Sequence, residues 1–210
     1  MEKKRHHHYV WRYYLRPWSS NGKIACLREG KLFSPNLMGV GQERDFNKLK
    51  ELTPGEIEFI KNLAIARSNK RLQEIHLNLL KQFTFVFQFR KFIETMGIKD
   101  PEAFEMIETA IHNIEEDLHT DIENTAIKYL DSILREDIGF YDKDEDCMEF
   151  LLFLSVQHQR TEKIKKSVLE AVKDVKIVEF ENVWNVLRHI FATNVAWVMY
   201  AERKVFSNEN

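Results

Sequence analysis

Side chains that could bind phosphate or transfer a proton gather near the start of the sequence. His8 can exchange a proton near neutral pH, while Arg12 and Arg16 stay cationic and can each bind two phosphate oxygens at once. Flat rings alternate with these cations, an arrangement that suits phosphates and unstacked bases. The alternative is a fringe of cations around a small aromatic core. The candidate nucleic-acid-binding residues are Trp11, Arg12, Tyr14, Arg16, Trp18 and Lys23.

A second polar pair interrupts an apolar helix face in the last third of the chain. Gln157 falls on the same predicted face as Phe153, and Arg160 lies one turn further on. A buried amide and a buried guanidinium need partners, so they serve either structural hydrogen bonding or the binding of something polar. The sequence leaves both interpretations open. His158 points elsewhere on this helix and is expected to be exposed.

A stripe of carboxylates and imidazoles runs along the helix predicted over 101–134. It includes one Glu116-x-x-His119 pair, a spacing found in carboxylate-bridged di-metal bundles. Such a site needs a second pair and two further inward carboxylates, so the sequence predicts no metal site. We expect exposed ion pairs that flank the apolar side of the helix. The stripe comprises Glu108, His112, Glu115, His119 and Glu123.

Composition excludes several classes of protein. With 7 Gly and 4 Pro in 210 residues and 44% hydrophobic residues, the chain is too apolar for disorder and too poor in turn residues for a many-stranded sandwich. Its 2 Cys exclude a disulfide-dense scaffold and a zinc site made of cysteines alone. No Gly-rich phosphate loop, G-x-S-x-G or H-E-x-x-H motif occurs, which disfavours ATPases, serine-elbow hydrolases and zincins. A mainly helical protein remains.

Charge is distributed unevenly along the chain. The net charge is −2, but residues 1–34 carry eight Lys/Arg against two acids. Residues 94–149 carry eighteen Asp/Glu against four Lys/Arg, which is typical of a solvated helical face. The longest uncharged apolar stretch, 150–156, is far short of the roughly 20 residues of a spanning helix. We therefore expect a cytoplasmic protein with no membrane partner.

Periodicity predicts the elements that position these residues. Residues 22–35 alternate around Glu29-Gly30 and predict a small hairpin, which a loop over 36–45 follows. Thr53-Pro54-Gly55-Glu56 has the sequence of a capping box with proline at the first helical position. The aromatic run 83–89 also alternates like a strand, but helix is favoured there, at the centre of the bundle. Helices are predicted over about 53–67, 69–95, 101–134, 144–173 and 180–206.

The fold class that follows is mainly α, a helical bundle with a small N-terminal β-hairpin. Residues 1–50 form a basic aromatic segment that packs on the bundle of residues 51–210. The chain is expected to be one compact domain overall.

Three separated segments resemble the family described as domain of unknown function 4238. The opening runs His8-Tyr9-Val10 and on through Tyr14-Leu15-Arg16, and the later segment is Gln157-His158-Gln159-Arg160-Thr161. Gln42-Glu43-Arg44-Asp45-Phe46 falls where members carry an acidic residue before an aromatic one. Trp11 replaces the family's proline and Trp18 its phenylalanine, and no C-terminal Thr-x-Asp-x-Pro motif occurs before Asn210.

The resemblance implies a role in defence against phages or mobile elements. With the basic aromatic start, it predicts a protein that acts on nucleic acid as a nuclease. His8 would be the general acid/base, Arg12, Arg16 and Arg160 would hold phosphate charge, and Gln157 would orient the substrate. The alternative is a non-enzymatic helical sensor or protein-binding module of a defence system, in which the same residues lock the N-terminal segment onto the bundle. No cofactor is identified from the sequence.

Overall fold

The computed structural model describes residues 2–175 and 177–207, and it confirms the mainly helical fold. Of these residues 68% are helical, and the strands lie before residue 45. Within the same two ranges, no helix is both long and apolar enough to cross a membrane.

Three long helices end close to the predicted bounds, and together they form most of the bundle. Asn69 caps the first of them by accepting from the Arg71 backbone N–H, and Asp100 caps the second by accepting from that of Glu102. The helices are α1 (Arg12–Leu15), α2 (Pro54–Ile60), α3 (Lys70–Thr95), α4 (Pro101–Leu134), α5 (Asp144–Gln159), α6 (Glu162–Ala171) and α7 (Phe180–Ser207). Short 3₁₀ turns lie at Arg16–Trp18, Leu37–Gly39 and Gly139–Asp142, and a π-helical turn at Lys61–Ile65 continues α2.

The described part of the chain contains six short strands, which form three antiparallel pairs. The predicted hairpin is confirmed by the pairing of residues 26–28 with residues 31–33. Glu29 and Gly30, which connect the two strands, have φ of 52° and 74°, the left-handed values that a tight two-residue turn needs. The loop expected over 36–45 is wrong in part. Residues 42–44 instead form a strand that pairs with residues 6–8, far away in the chain. A strand of only three residues is too short to be recognised from the sequence. The pairs are β1 (His6–His8) with β6 (Gln42–Arg44), β2 (Ser19–Ser20) with β3 (Lys23–Ile24), and β4 (Cys26–Arg28) with β5 (Lys31–Phe33).

The capping box at the start of α2 is confirmed. The Thr53 hydroxyl accepts from the Glu56 backbone N–H at 3.2 Å, and the Glu56 carboxylate accepts from the Thr53 backbone N–H at 2.8 Å. These two reciprocal hydrogen bonds fix the start of α2, where the N-terminal segment ends and the bundle begins.

The single helix predicted over 144–173 is wrong, because the chain breaks into α5 and α6 at Arg160-Thr161. Thr161 has extended backbone, and its hydroxyl accepts from the Ile164 backbone N–H at 3.4 Å as the cap of α6. The threonine at the break caps the start of a new helix. The apolar periodicity continues across this stretch, so it does not reveal the break. Arg160 therefore lies at the C-terminal end of α5.

The main core forms where α2, α3, α4 and α7 meet, with Ile60, Ile111 and Ile190 fully or almost fully buried. The expectation that α3 is buried all round is wrong. Phe83 and Phe87 pack inwards, whereas large apolar side chains on the opposite face are exposed, because no further helix among the described residues covers that face. The exposed side chains of that face are Phe85, Phe89, Phe92 and Met96.

A smaller core joins the N-terminal segment to the bundle. Trp11 packs against the cluster of Ala126, Tyr129 and Phe153, and its ring meets that of Phe153 edge-on at 5.8 Å between centroids. The start of the chain is thus held between α4 and α5.

Candidate functional site

A cleft of about 910 Å³ lies between the N-terminal segment and α4. One wall is basic and aromatic, and the other carries two carboxylates one above the other on α4. This is the kind of concave, partly polar site in which ligands bind. The lining residues are His8, Trp11, Arg12, Tyr13, Arg16, Ser19, Gly22, Asn36, Leu37, Met38, Glu116, Thr120, Glu123, Asn124 and Ile127.

Strand β1 holds His8 in the cleft by burying its neighbour. His7 is fully buried, its Nδ1 accepts from the Asn47 backbone N–H at 2.7 Å, and its Nε2 donates to the Lys4 carbonyl at 3.0 Å. Successive residues of a strand point to opposite faces, so anchoring His7 in the core turns His8 outwards to the cleft.

A glycine allows β1 and β6 to approach each other at this point. The Gly41 carbonyl accepts from the Tyr9 backbone N–H at 2.8 Å, and Gly41 has a φ of 68°. A Cβ atom added there would lie 2.9 Å from that of Val10, closer than side chains pack.

His8 has the properties of a proton acceptor. Its Nε2 is buried and has no hydrogen-bond partner within residues 2–175 and 177–207. Burial lowers its pKa, and the charges of Arg12 and Arg160 lower it further. His8 is therefore neutral at neutral pH, with a ring nitrogen free to accept a proton.

Arg12 and Arg16 supply positive charge to the same wall. Both side chains are exposed, and neither forms an ion pair with another described residue. The Arg12 guanidinium rests against the Met38 sulfur rather than a carboxylate. Both cations are thus available to an anionic ligand.

Glu123 joins the cleft to the two polar residues of α5. Its Oε1 lies 2.7 Å from Arg160 Nη2 in an ion pair, and 3.5 Å from Gln157 Nε2. Burial raises the pKa of Glu123, and Arg160 opposes that rise. Arg160 is only 1% exposed and neither it nor Gln157 lines the cleft, so both act behind Glu123. His158 is exposed, as predicted.

Glu116, on the same wall, is held by a buried amide. Asn47 Nδ2 donates to its carboxyl group at 2.5 Å, and burial raises the pKa of Glu116 to about 7. Asn47 Oδ1 in turn accepts from Arg188 Nη2 at 2.5 Å. A continuous chain of hydrogen bonds thus runs from the cleft into the core.

The exposed ion pairs expected along α4 are wrong, because most of the stripe is buried: Glu115 and His119 face α7, and Glu123 pairs with Arg160 of α5. Glu115 is fully buried and accepts from Asn185 at 2.8 Å and from Arg188 Nε and His189 Nε2, both at 2.7 Å. Burial pushes the pKa of Glu115 up, but the charge of Arg188 and the bond from His189 hold it below its ordinary value. The other buried members are His112, His119 and Glu123, while Glu108 is partly exposed.

Arg188, His189 and Asn185 were missed by the sequence analysis. They lie in an otherwise apolar run of α7, and the same signal, polar residues on an apolar helix, singled out Gln157 and Arg160. The structure also brings together Glu115, His119 and His189, each of which offers a potential metal-ligand atom within 4.8 Å of the others.

The sequence-predicted nucleic-acid-binding residues fall into two groups. Trp11, Arg12 and Arg16 line the cleft, and the Trp11 ring stacks on that of Tyr13 at 5.1 Å. The second group consists of Tyr14, Trp18 and Lys23, which do not line the cleft. These side chains are exposed around the 3₁₀ turn at Arg16–Trp18 and strand β3.

No protein-family model matches the chain, and no curated protein or solved structure matches it either. The resemblance to domain of unknown function 4238 therefore stays a prediction from the sequence motifs.

Proposed function

We propose that the chain binds nucleic acid in this cleft and hydrolyses a phosphodiester bond there. The observation that carries the proposal is the basic wall of the cleft, which His8, Arg12 and Arg16 line together and whose two guanidinium groups have no carboxylate partner among the described residues. Phosphate backbones are bound by such uncommitted cations.

Charge sets the orientation of the ligand. Phosphates are attracted to Arg12 and Arg16 and repelled by the opposite wall, so the backbone lies along the N-terminal segment. Glu116 and Glu123 then face sugar hydroxyls or base amino groups, which donate hydrogen bonds to carboxylates. Trp11 and Tyr13 offer ring faces on which an unstacked base can rest.

Hydrolysis needs a base, and neutral His8 supplies one. A water molecule attacks phosphorus while the His8 ring takes its proton, the phosphorus–oxygen bond to the leaving oxygen breaks, and that oxygen takes a proton from solvent. Arg12 and Arg16 neutralise the charge that builds on the non-bridging oxygens. Arg160 and Gln157 position Glu123 and do not touch the substrate.

The role in defence against phages or mobile elements is part of this proposal through the motif resemblance. A cleft that acts on foreign nucleic acid is consistent with that role.

The test is an assay of binding and cleavage with labelled RNA, single-stranded DNA and duplex DNA, with and without divalent metal. Binding should weaken steeply with salt, and Arg12→Ala or Arg16→Ala should each reduce the salt slope by about one. His8→Ala should abolish cleavage and leave binding largely intact. Arg67→Ala and His158→Ala are matched controls, since both side chains are exposed away from the cleft. Absence of binding to all three ligands at low salt would refute the proposal.

A second candidate, a protein-binding module, is favoured by the exposed face of α3. Phe85 and Phe92 are 57% and 58% exposed, and contiguous exposed apolar side chains mark protein contacts. The pair Phe85→Ser and Phe92→Ser separates the candidates, because it alters this face and leaves the cleft unchanged. Nucleic-acid binding that survives this change and is weakened in Arg12→Ala would favour the first.

A further inference from the structure

Three buried side chains that can bind a metal ion meet between α4 and α7. Glu115 and His119 are four residues apart, so they lie on one face of α4, and His189 faces them from α7. The Glu115 Oε1 atom lies 2.7 Å from His189 Nε2 and 3.9 Å from His119 Nε2. None of the three lines the cleft.

His119 provides an independent reason to place a ligand here. Both of its ring nitrogens are buried and neither has a hydrogen-bond partner among the described residues, although the side chain is only 1% exposed. A neutral imidazole has one N–H and one lone pair, and native proteins rarely bury both unsatisfied. Its lone pair is therefore available to a cation.

We propose that Glu115, His119 and His189 bind one divalent first-row transition-metal ion beneath the cleft. Two imidazoles and one carboxylate suit Zn²⁺ or Fe²⁺, whereas Mg²⁺ and Ca²⁺ prefer oxygen ligands alone. The site goes beyond the proposed hydrolysis, which runs through His8 in the cleft and uses none of these ligands.

The surroundings orient the carboxylate for this role. Asn185 Nδ2 donates to Glu115 Oε2 at 2.8 Å, and Arg188 Nε donates to Oε1 at 2.7 Å, so the carboxylate is held from the side of α7. Such outer partners fix the direction of metal ligands.

Binding requires only small movements of the ligands. Ligand atoms about 2.0–2.2 Å from a tetrahedral ion lie about 3.3–3.6 Å from one another. Glu115 and His189 must therefore separate slightly, and His119 must approach. The His189 Nε2–H bond to Glu115 is lost on binding, and the proton moves to Nδ1, so the ring stays neutral and its Nε2 lone pair faces the ion.

The test uses the whole chain after removal of metal with a chelator. Titration with Co²⁺ should give the visible absorption of a tetrahedral site at one ion per chain, and Zn²⁺ should displace it. At a free Zn²⁺ concentration about a hundred times its Kd, the thermal midpoint should rise by roughly 5–10 °C, because the ion binds the folded chain only. Mg²⁺ at the same concentration should leave the midpoint unchanged.

Variants locate the site. His119→Gln and His189→Gln should each weaken Co²⁺ binding by about a hundredfold or more. The matched control is His76→Gln, a buried histidine bonded to Thr193 outside the cluster. The double variant His6→Ala and His8→Ala tests the histidines of β1, and it should bind Co²⁺ as the parent does.

Several outcomes would overturn the proposal. They are no Co²⁺ absorption in the parent chain, loss of binding in the β1 double variant, or equal weakening in His76→Gln. The parent's Co²⁺ spectrum and its displacement by Zn²⁺ decide the matter even where a ligand variant does not fold. Because nucleic-acid binding is measured separately, the failure of either proposal leaves the other standing.

Discussion

The ion pair between Arg160 and Glu123 gives the sharpest test of the buried network behind the cleft. Arg160→Met keeps an unbranched apolar side chain of similar length but leaves the Glu123 side chain, 12% exposed, without its cation. Breaking one side of a buried pair costs roughly 3–5 kcal/mol. For a chain of this size, 1 kcal/mol moves the thermal midpoint by roughly 2–4 °C, so we expect a fall of roughly 6–20 °C at pH 8.

The pH dependence of that loss follows from the direction of the pKa shift. Burial already raises the pKa of Glu123 above its ordinary value, and Arg160 opposes the rise, so Arg160→Met should raise it further. A carboxyl group whose pKa is higher in the folded state favours folding in its protonated form, and it destabilises the fold as pH rises between the unfolded and folded values. The loss of unfolding free energy should therefore be large at pH 8 and small at pH 5.

Urea unfolding of four chains at pH 5 and pH 8 measures this prediction. They are the parent, Arg160→Met, Glu123→Gln and the double variant. Because the double variant buries neither charge, it should be more stable than the sum of the two single losses allows. An equal loss at both pH values, or strictly additive losses, would refute the electrostatic explanation.

Three further predictions concern the cleft and its supports. Because burial and the nearby arginines lower the pKa of His8, the acid limb of kcat/KM against pH should lie below pH 6.5, and an acid limb above 6.5 in the free enzyme would contradict the role of neutral His8. Gly41→Ala, at positive φ and against Val10, should lower the unfolding free energy by roughly 1–3 kcal/mol, whereas Gly39→Ala, with no atom within 4 Å of its added Cβ, should have little effect in the same urea titration. Thr53→Ala removes one half of the capping box and should cost about 1 kcal/mol, and calorimetry that shows no change would mean that water replaces the cap at no cost.

Local signals predicted the elements that local interactions hold together. The capping box at Thr53 and the Glu29-Gly30 turn each satisfy backbone groups within a few residues, so the sequence displays them directly. The pairing of β1 with β6 lacks such a signal, because its ladder joins segments that are far apart in the chain and only three residues long.

The candidate site shows the same difference between local and long-range interactions. His8, Arg12 and Arg16 are close in sequence, and their chemistry could be recognised without knowing the fold. The carboxylates of the opposite wall could not be recognised in this way, because the position of a carboxylate on a helix does not show whether a cation lies beside it in the folded protein. Glu115 is 73 residues from Arg188, and Glu123 meets Arg160 across α4 and α5.

Burial of the α4 acids is therefore a property of the assembled bundle. An acidic stripe beside an apolar one is stable in water, and it can be buried inside a protein only when each carboxylate is matched by donors. The local pattern of α4 is the same in both cases. The two cases differ in the partner helix. In α7, Asn185, Arg188 and His189 interrupt an apolar run, and such polar side chains are buried only when they have partners. Two polar interruptions on separate helices, at Gln157-Arg160 and at residues 185–189, thus require acidic partners elsewhere in the chain, and α4 is the helix that supplies them.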